Sequence, residues 1–329
     1  MKVFVLDPIG ANGVDILAKS GVDVVLWGDP AVGNWREEAD GIVLRGTTSV
    51  TADDIARAKN LKAISKEGAG VDRIDLEAAA NRGIVVMNTP GSNAEAVAEF
   101  TVGLTLALAR RIAVADRRLR LGDAANREEF KGRGLAGKTV GIVGMGHIGR
   151  KVARKWNLAF DMPVIGYDPN LPDGAWAELG YEQASNLDDL LRRADLVSIH
   201  VPLIPPTRNL IGARELGMMK PTSMLVCTSR GGVVDEAALY DALMTERIYG
   251  AALDVFVKEP PPVDHPLFGI PTFVATPHIG GASFESREAG ARMAVEQLLE
   301  VLGGGAPRNV VTAMGPSGSG GSRQGKGQP

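Results

Sequence analysis

A short apolar run at residues 139–143 leads straight into Gly144-Met145-Gly146-His147-Ile148-Gly149, and a proline-free helical pattern over 147–158 follows. No other feature constrains this chain so tightly. Glycines at that spacing between a strand and a helix let the backbone turn sharply and approach whatever lies over the loop. The helix that opens there aims its unpaired N–H groups the same way, which suits a pyrophosphate. Asp168 closes the next apolar run, about 20 residues after the last glycine. A carboxylate there accepts both ribose hydroxyls and repels a 2′-phosphate, selecting NAD over NADP. The plainer reading keeps the glycines for helix-on-strand packing and Asp168 for a surface turn.

The rest of the chain repeats the alternation of strand and helix. Residues 2–6, 22–27, 41–44, 62–65 and 84–87 read as strands, with helices at 51–58 and 75–82. A long proline-free helix, 94–119, can be capped by Ser92 or Asn93 and could carry the chain from one domain to another. Six further strands follow at 139–143, 163–167, 196–201, 224–228, 250–255 and 272–275, with helices at 147–158, 187–194 and 235–245. Such alternation implies parallel strands joined by helical crossovers. A last amphipathic helix, 283–302, is expected to return to the first domain and make it discontinuous. The fold expected is therefore α/β: two Rossmann-like or flavodoxin-like domains with parallel sheets, the second (99–282) inserted into the first (1–98 and 283–314). Residues 315–329 contain no hydrophobic side chain and read as a flexible tail.

A length of 329 residues suits two domains. The formal charge is −3, with 45% hydrophobic and 23% charged residues, so a disordered chain and a strongly basic nucleic-acid binder are both excluded. A single cysteine, Cys227, excludes an internal disulfide and a cysteine-based metal cluster, and no metal is expected. No apolar run approaches the ~18–20 residues of a membrane span. Asp7 and Pro8 come too early for a signal peptide. A cytoplasmic protein without nucleic-acid or membrane partners is the expectation.

Four histidines bound the search for an acid–base group. His147 lies inside the glycine loop. His200 ends a strand at the ligand edge of the sheet, as a wall for a cofactor. His265, in Val263-Asp264-His265-Pro266, reads as solvated. His278 follows the last strand and precedes the returning helix, in Thr276-Pro277-His278-Ile279-Gly280-Gly281. Arg230 stands just after a strand and could hold a carboxylate by two parallel hydrogen bonds, or be solvated. Glu259, in Glu259-Pro260, could equally be a charged loop residue.

Taken together, GMGHIG, HVPLIPPTRNLI, TSRGGVVDEAAL, ALDVF followed by EP, and TPHIGG resemble the D-isomer-specific 2-hydroxyacid dehydrogenase family, over residues 1 to about 312. The resemblance implies a discontinuous substrate domain, an inserted NAD domain, and hydride transfer between NAD(H) and a small anionic D-2-hydroxy or 2-keto acid. It places the carboxylate-binding arginine at Arg230, the acid–base histidine at His278 and its glutamate partner at Glu259. The cofactor contacts it implies are Gly144, Gly146, His147, Ile148, Gly149, Asp168, His200, Pro202, Thr207, Thr228, Ser229, Asp254 and Gly280. Segments VLRG and KEGAGVD resemble phosphoglycerate dehydrogenases, so the backbone of Glu67, Gly68, Ala69 and Gly70 is expected to bind the substrate carboxylate. Arg45 and Lys66 are candidates for a second anionic group, or ordinary surface charge. A homodimer through the long-helix region and the NAD domain is implied, and no C-terminal regulatory domain is expected.

Neighbouring activities are separated by single positions. Formate dehydrogenases typically carry glutamine where Glu259 stands. NADPH-preferring glyoxylate/hydroxypyruvate reductases carry an arginine–serine pair near Asp168. Phosphite dehydrogenases keep a similar arginine, glutamate, histidine and lysine, so phosphite stays open. So does an NAD-sensing scaffold like the C-terminal-binding-protein corepressors.

Overall fold

The computed structural model describes residues 1–123 and 126–311. The expected tail at 315–329 lies outside them. The chain divides into two compact units, one of Met1–Ser92 with the residues from Arg287 on, the other of Asn93–Ser286.

The first unit is built on β1 (Lys2–Val5), β2 (Asp23–Val25), β3 (Gly41–Leu44), β4 (Ala63–Lys66) and β5 (Val85–Asn88). All pairs are parallel and the order is β2-β1-β3-β4-β5, the flavodoxin-like arrangement. Alternate side chains leave opposite faces. Phe4, Ile42 and Ile64 pack with Trp35, Ile55 and Ala79. Val3, Val5, Val43 and Met87 pack with Leu17, Ala291, Val295 and Leu298. The last three come from the helix Phe284–Leu302, whose residues from Arg287 on cover this sheet. Its Gln297 is buried and donates to Ser65 Oγ at 2.9 Å and Asn88 O at 3.0 Å. That bond steadies the ends of β4 and β5, from which the candidate substrate loop springs. The helix Ala11–Lys19, which local sequence does not announce, completes that face.

The second unit holds β6 (Val140–Val143), β7 (Val164–Tyr167), β8 (Glu182–Gln183), β9 (Leu196–Ile199), β10 (Met224–Cys227), β11 (Gly250–Leu253) and β12 (Phe273–Ala275). Their order is β12-β11-β10-β9-β6-β7-β8, again parallel. The chain builds outward from β6 to β8, then crosses back to β9 and builds the other way. The switch point between β6 and β9 is where a doubly wound sheet opens a crevice for a ligand. Six strands are expected from the sequence and seven are found among the described residues. The extra one, β8, is two exposed polar residues at the sheet edge, too short to register as an apolar run.

The expected long helix is two, Ala94–Ala109 and Ile112–Arg120. Arg111 between them is left-handed, with φ 57°. The break has a visible cause. Arg133 donates its N–H to Ala109 O at 2.7 Å, and a Cβ on Gly132 would lie 2.3 Å from that oxygen. A distant strand of backbone thus takes the carbonyl that a continuing helix would use. Among the described residues no helix is long and apolar enough to cross a membrane.

Candidate active site

The glycine loop follows β6 directly. Gly144 has φ +93°, and a Cβ there would meet His200 O at 2.8 Å. A Cβ on Gly149 would lie 2.0 Å from Gly144 O, so that glycine lets the helix press onto the loop. At Gly146 a Cβ would meet nothing within 4 Å. This residue is the N-cap of the helix His147–Phe160, and no side chain caps it. The first-turn N–H groups of that helix are thus left for an anion. His147 is exposed and Ile148 half-buried at its start. Asp168, just past β7, accepts the N–H of Met145 at 2.9 Å and of Asn170 at 3.0 Å. Its carboxylate is therefore tied to the glycine loop itself.

His200 leaves the end of β9, across the switch point. Its Nε2 lies 2.8 Å from Ser198 Oγ, and its Nδ1 is buried with no partner. Burial pushes its pKa down to about 3, so the ring is neutral at physiological pH. The turn that follows is closed by Thr207, whose Oγ1 accepts the Ile204 N–H and lies 2.5 Å from Pro202 O. Thr228, buried after β10, is 2.9 Å from Thr101 Oγ1. Because Thr101 donates to Val97 O, the proton of this bond comes from Thr228. Ser229 is buried, 3.3 Å from Cys227 Sγ.

Arg230 follows, half-buried, with Nη1 donating to Ser229 O at 2.7 Å. A Cβ on the next residue, Gly231, would lie 1.9 Å from Phe256 O. Only glycine allows that contact, which holds the arginine segment against the segment leading to Glu259. Glu259 then accepts the Phe256 N–H through Oε1 at 3.1 Å and meets His278 Nδ1 through Oε2 at 2.7 Å. The pair is accessible, with 44% of the His278 side chain and 33% of the Glu259 side chain exposed. His278 adopts φ 56°, a left-handed conformation that a non-glycine residue holds only under external constraint.

Asp254 supplies the constraint. It is 1% exposed, and its carboxylate accepts from Thr276 Oγ1 at 2.7 Å, Ile279 N at 2.9 Å and Gly280 N at 2.8 Å. Its own carbonyl accepts the His278 N–H at 2.7 Å. Four bonds from one residue fix the loop that carries His278. Two side chains given no site role from the sequence support the facing segment. Glu236 accepts the Val257 N–H at 2.7 Å and lies 3.1 Å from His265 Nε2. His265, expected to be solvated, has only 11% of its side chain exposed and packs against Phe256 and Phe268. The signal available was the apolar ring of partners, not the polar loop around it.

The first unit brings together the other candidates. At the end of β1, buried Asp7 accepts from Arg45 N, Thr47 Oγ1 and Thr48 Oγ1 at 2.5–2.7 Å. Burial opposes its charge, but these bonds outweigh it and hold the carboxyl below its usual range. Arg45 is thereby fixed beside Glu67, with Nε 3.5 Å from Oε1. Lys66 donates to Glu67 O at 2.5 Å. Gly68 takes φ +111° and donates its N–H to Thr89 Oγ1 at 2.7 Å, while Ala69 O accepts from Asn88 Nδ2 at 2.7 Å. The loop of Gly68, Ala69 and Gly70 is thus pinned to the end of β5. Burial pushes the Glu67 pKa up to about 7, against the pull of Arg45, Lys66 and Arg287.

Comparison with known proteins matches residues 102–280 to the family described as D-isomer specific 2-hydroxyacid dehydrogenase, NAD binding domain. The chain is 41% identical over 318 residues to the D-3-phosphoglycerate dehydrogenase of Methanocaldococcus jannaschii, covering 94% of this chain and 59% of that protein. It therefore spans little more than half the length of that relative. It is 42% identical to the hydroxypyruvate reductase of Thermotoga maritima, over 81% of this chain and 86% of that one. The crystal structure of the TT0316 protein from Thermus thermophilus superposes with a TM-score of 0.85 at 39% identity, covering 95% of this chain and all of that one.

Proposed function

Because the chain belongs to the D-isomer-specific 2-hydroxyacid dehydrogenase family, we propose that it is an NAD-dependent oxidoreductase interconverting a D-2-hydroxy acid and its 2-keto acid. The observation that carries this reading is the contact of Glu259 Oε2 with His278 Nδ1. A carboxylate only accepts, so Nδ1 carries the hydrogen and Nε2 becomes the atom that exchanges a proton with substrate. In reduction His278 gives that proton to the carbonyl oxygen, and in oxidation it takes one from the hydroxyl. Arg230 binds the substrate carboxylate and polarises the adjacent carbonyl. On the first unit, the substrate contacts are the backbone of the 67–70 loop.

The residues present fit a dinucleotide. The uncapped helix behind Gly146 suits a pyrophosphate, and Asp168 suits an adenosine ribose. Bound NADH supplies the hydride. His200, Pro202, Thr207, Thr228, Ser229, Asp254 and Gly280 are the remaining proposed cofactor-side contacts, and the neutral ring of His200 adds no charge beside them. The second unit is then the NAD domain and the first the substrate domain. A cytoplasmic location and a homodimer complete the reading, the dimer alone being supported by the exposed apolar side chains Ile112, Leu119 and Leu121. Sedimentation equilibrium checks the dimer.

Turnover is tested by following NADH oxidation with pyruvate, glyoxylate, hydroxypyruvate and 3-phosphohydroxypyruvate. Reduction of at least one, to the D isomer where the product is chiral, is expected. A protein that binds NADH yet reduces none of these acids would overturn the enzymatic reading in favour of an NAD-sensing scaffold.

A further inference from the structure

Glu67 is out of place in a loop expected to receive an anion. Its side chain is 7% exposed, its Oε2 is buried without a partner, and a Cβ on Gly290 would lie 2.9 Å from its Cγ. It cannot swing away without giving up that packing. The charged groups facing it are Arg45 from the end of β3, Lys66 from β4, and Arg287 and Glu288 from the returning helix. Arg45 is the cation it touches, and Asp7 holds the Arg45 backbone in place. A second acidic group on a substrate, next to the carboxylate held by the loop, would have to compete with Glu67 for that guanidinium.

We propose that Glu67 is a proton-operated specificity gate: ionised, it occupies Arg45 and favours a 2-keto acid with one carboxylate, and protonated, it releases Arg45 to a second anionic group. The inference rests on the substrate-loop reading given above. Binding a dianionic acid then takes up one proton from solvent at Glu67 whenever the carboxylate starts ionised. Binding a monoanion takes up none there. The position of its titration near neutrality puts the gate within the working pH range. Lys66 and Arg287 are too near to leave a dianion wholly unfavoured, so the gate sets a ratio and not an absolute choice.

The test compares tartronate, a 2-hydroxy acid with two carboxylates, with glycolate, which has one, on the NADH complex, where neither acid can be oxidised and no proton is released by turnover. Calorimetry in two buffers of different ionisation enthalpy at pH 7.5 reads proton uptake directly. Tartronate should take up more protons than glycolate in the wild type and the same number in Glu67→Gln. The ratio of tartronate to glycolate affinity should fall about 10-fold from pH 6 to pH 8 in the wild type. It should be flat in Glu67→Gln, and flat and low in Arg45→Met. Equal proton uptake for both acids, or a pH-dependent ratio that survives in Glu67→Gln, would overturn the gate while leaving the dehydrogenase reading intact. Failure of both acids to bind would instead overturn the substrate-loop reading, and the gate with it.

Discussion

Glu259 divides its carboxylate between two partners: Oε2 meets His278 Nδ1 at 2.7 Å and Oε1 accepts the N–H of Phe256 at 3.1 Å. The second contact fixes the first. Phe256 is in turn held by Gly231 beside Arg230. The candidate acid–base ring, its partner and the candidate carboxylate-binding arginine are therefore positioned by one continuous piece of backbone packing.

His278 and Glu259 should act as a unit. His278→Ala should lower kcat/KM by roughly 10²–10⁴-fold. Glu259→Gln keeps the shape but can donate as well as accept, so it no longer enforces the Nδ1–H tautomer and should cost about 10- to 100-fold, mostly in kcat. In the double variant the loss should match that of His278→Ala alone, because the carboxylate works through the ring. Multiplying losses in this double-mutant cycle would leave Glu259 a solvated loop residue.

Arg230→Ala should weaken substrate and transition-state binding together, by about 2–4 kcal/mol, or roughly 30- to 1000-fold in kcat/KM. The dissociation constant for NADH should change far less, since the arginine is assigned to the acid and not the cofactor. Steady-state kinetics with a parallel NADH fluorescence titration separates the two. A folded variant with wild-type kcat/KM would return Arg230 to the protein surface.

Asp168 should make NADH the better cofactor. Its carboxylate is anchored to the Met145 N–H at 2.9 Å, so it cannot readily withdraw from a 2′-phosphate. Asp168→Ser should remove the repulsion and raise kcat/KM for NADPH relative to NADH by about 10-fold or more. Equal use of the two cofactors by the wild type would remove Asp168 from this role.

The two parallel sheets were legible because strands buried on both faces leave continuous Val, Ile and Leu runs, such as Gly41–Leu44 and Val140–Val143. The helix Ala11–Lys19 was not, because its N-terminus is capped from far away. Glu288 accepts the N–H groups of Ala11 and Asn12 at 2.9 Å, across 277 and 276 residues of sequence. The split of the 94–119 helix was hidden for the same reason, its C-terminal carbonyl being taken by Arg133. In the candidate site, the residues proposed to carry chemistry stand in motifs of the sequence. What their supports do is not legible there. Asp254 resembles a cofactor contact, yet its carboxylate is engaged by Thr276, Ile279 and Gly280, and it shapes the His278 loop. Glu67 looks like one more loop residue until its burial and its contact with Arg45 are seen.

Two buried groups should give stability opposite slopes with pH. The pKa of His200 falls to about 3 in the folded chain, while an unfolded histidine titrates near 6.5. The unfolded chain thus binds the extra proton between those values, and stability contributed by the neutral ring is lost as pH falls from 6.5. At pH 5 the deficit is on the order of 2 kcal/mol. Glu67 works the other way. Its pKa rises to about 7, so the folded chain holds the extra proton above the ordinary carboxylate range, and stability falls as pH rises from 4.5 through 7. Urea unfolding should therefore show His200→Gln gaining on the wild type as pH drops from 7 to 5. Glu67→Gln should gain on it as pH rises from 5.5 to 8, by roughly 2 kcal/mol. If the Glu67→Gln difference is constant across that range, Glu67 ionises as an ordinary exposed carboxylate, and its burial against Gly290 is not what governs its charge.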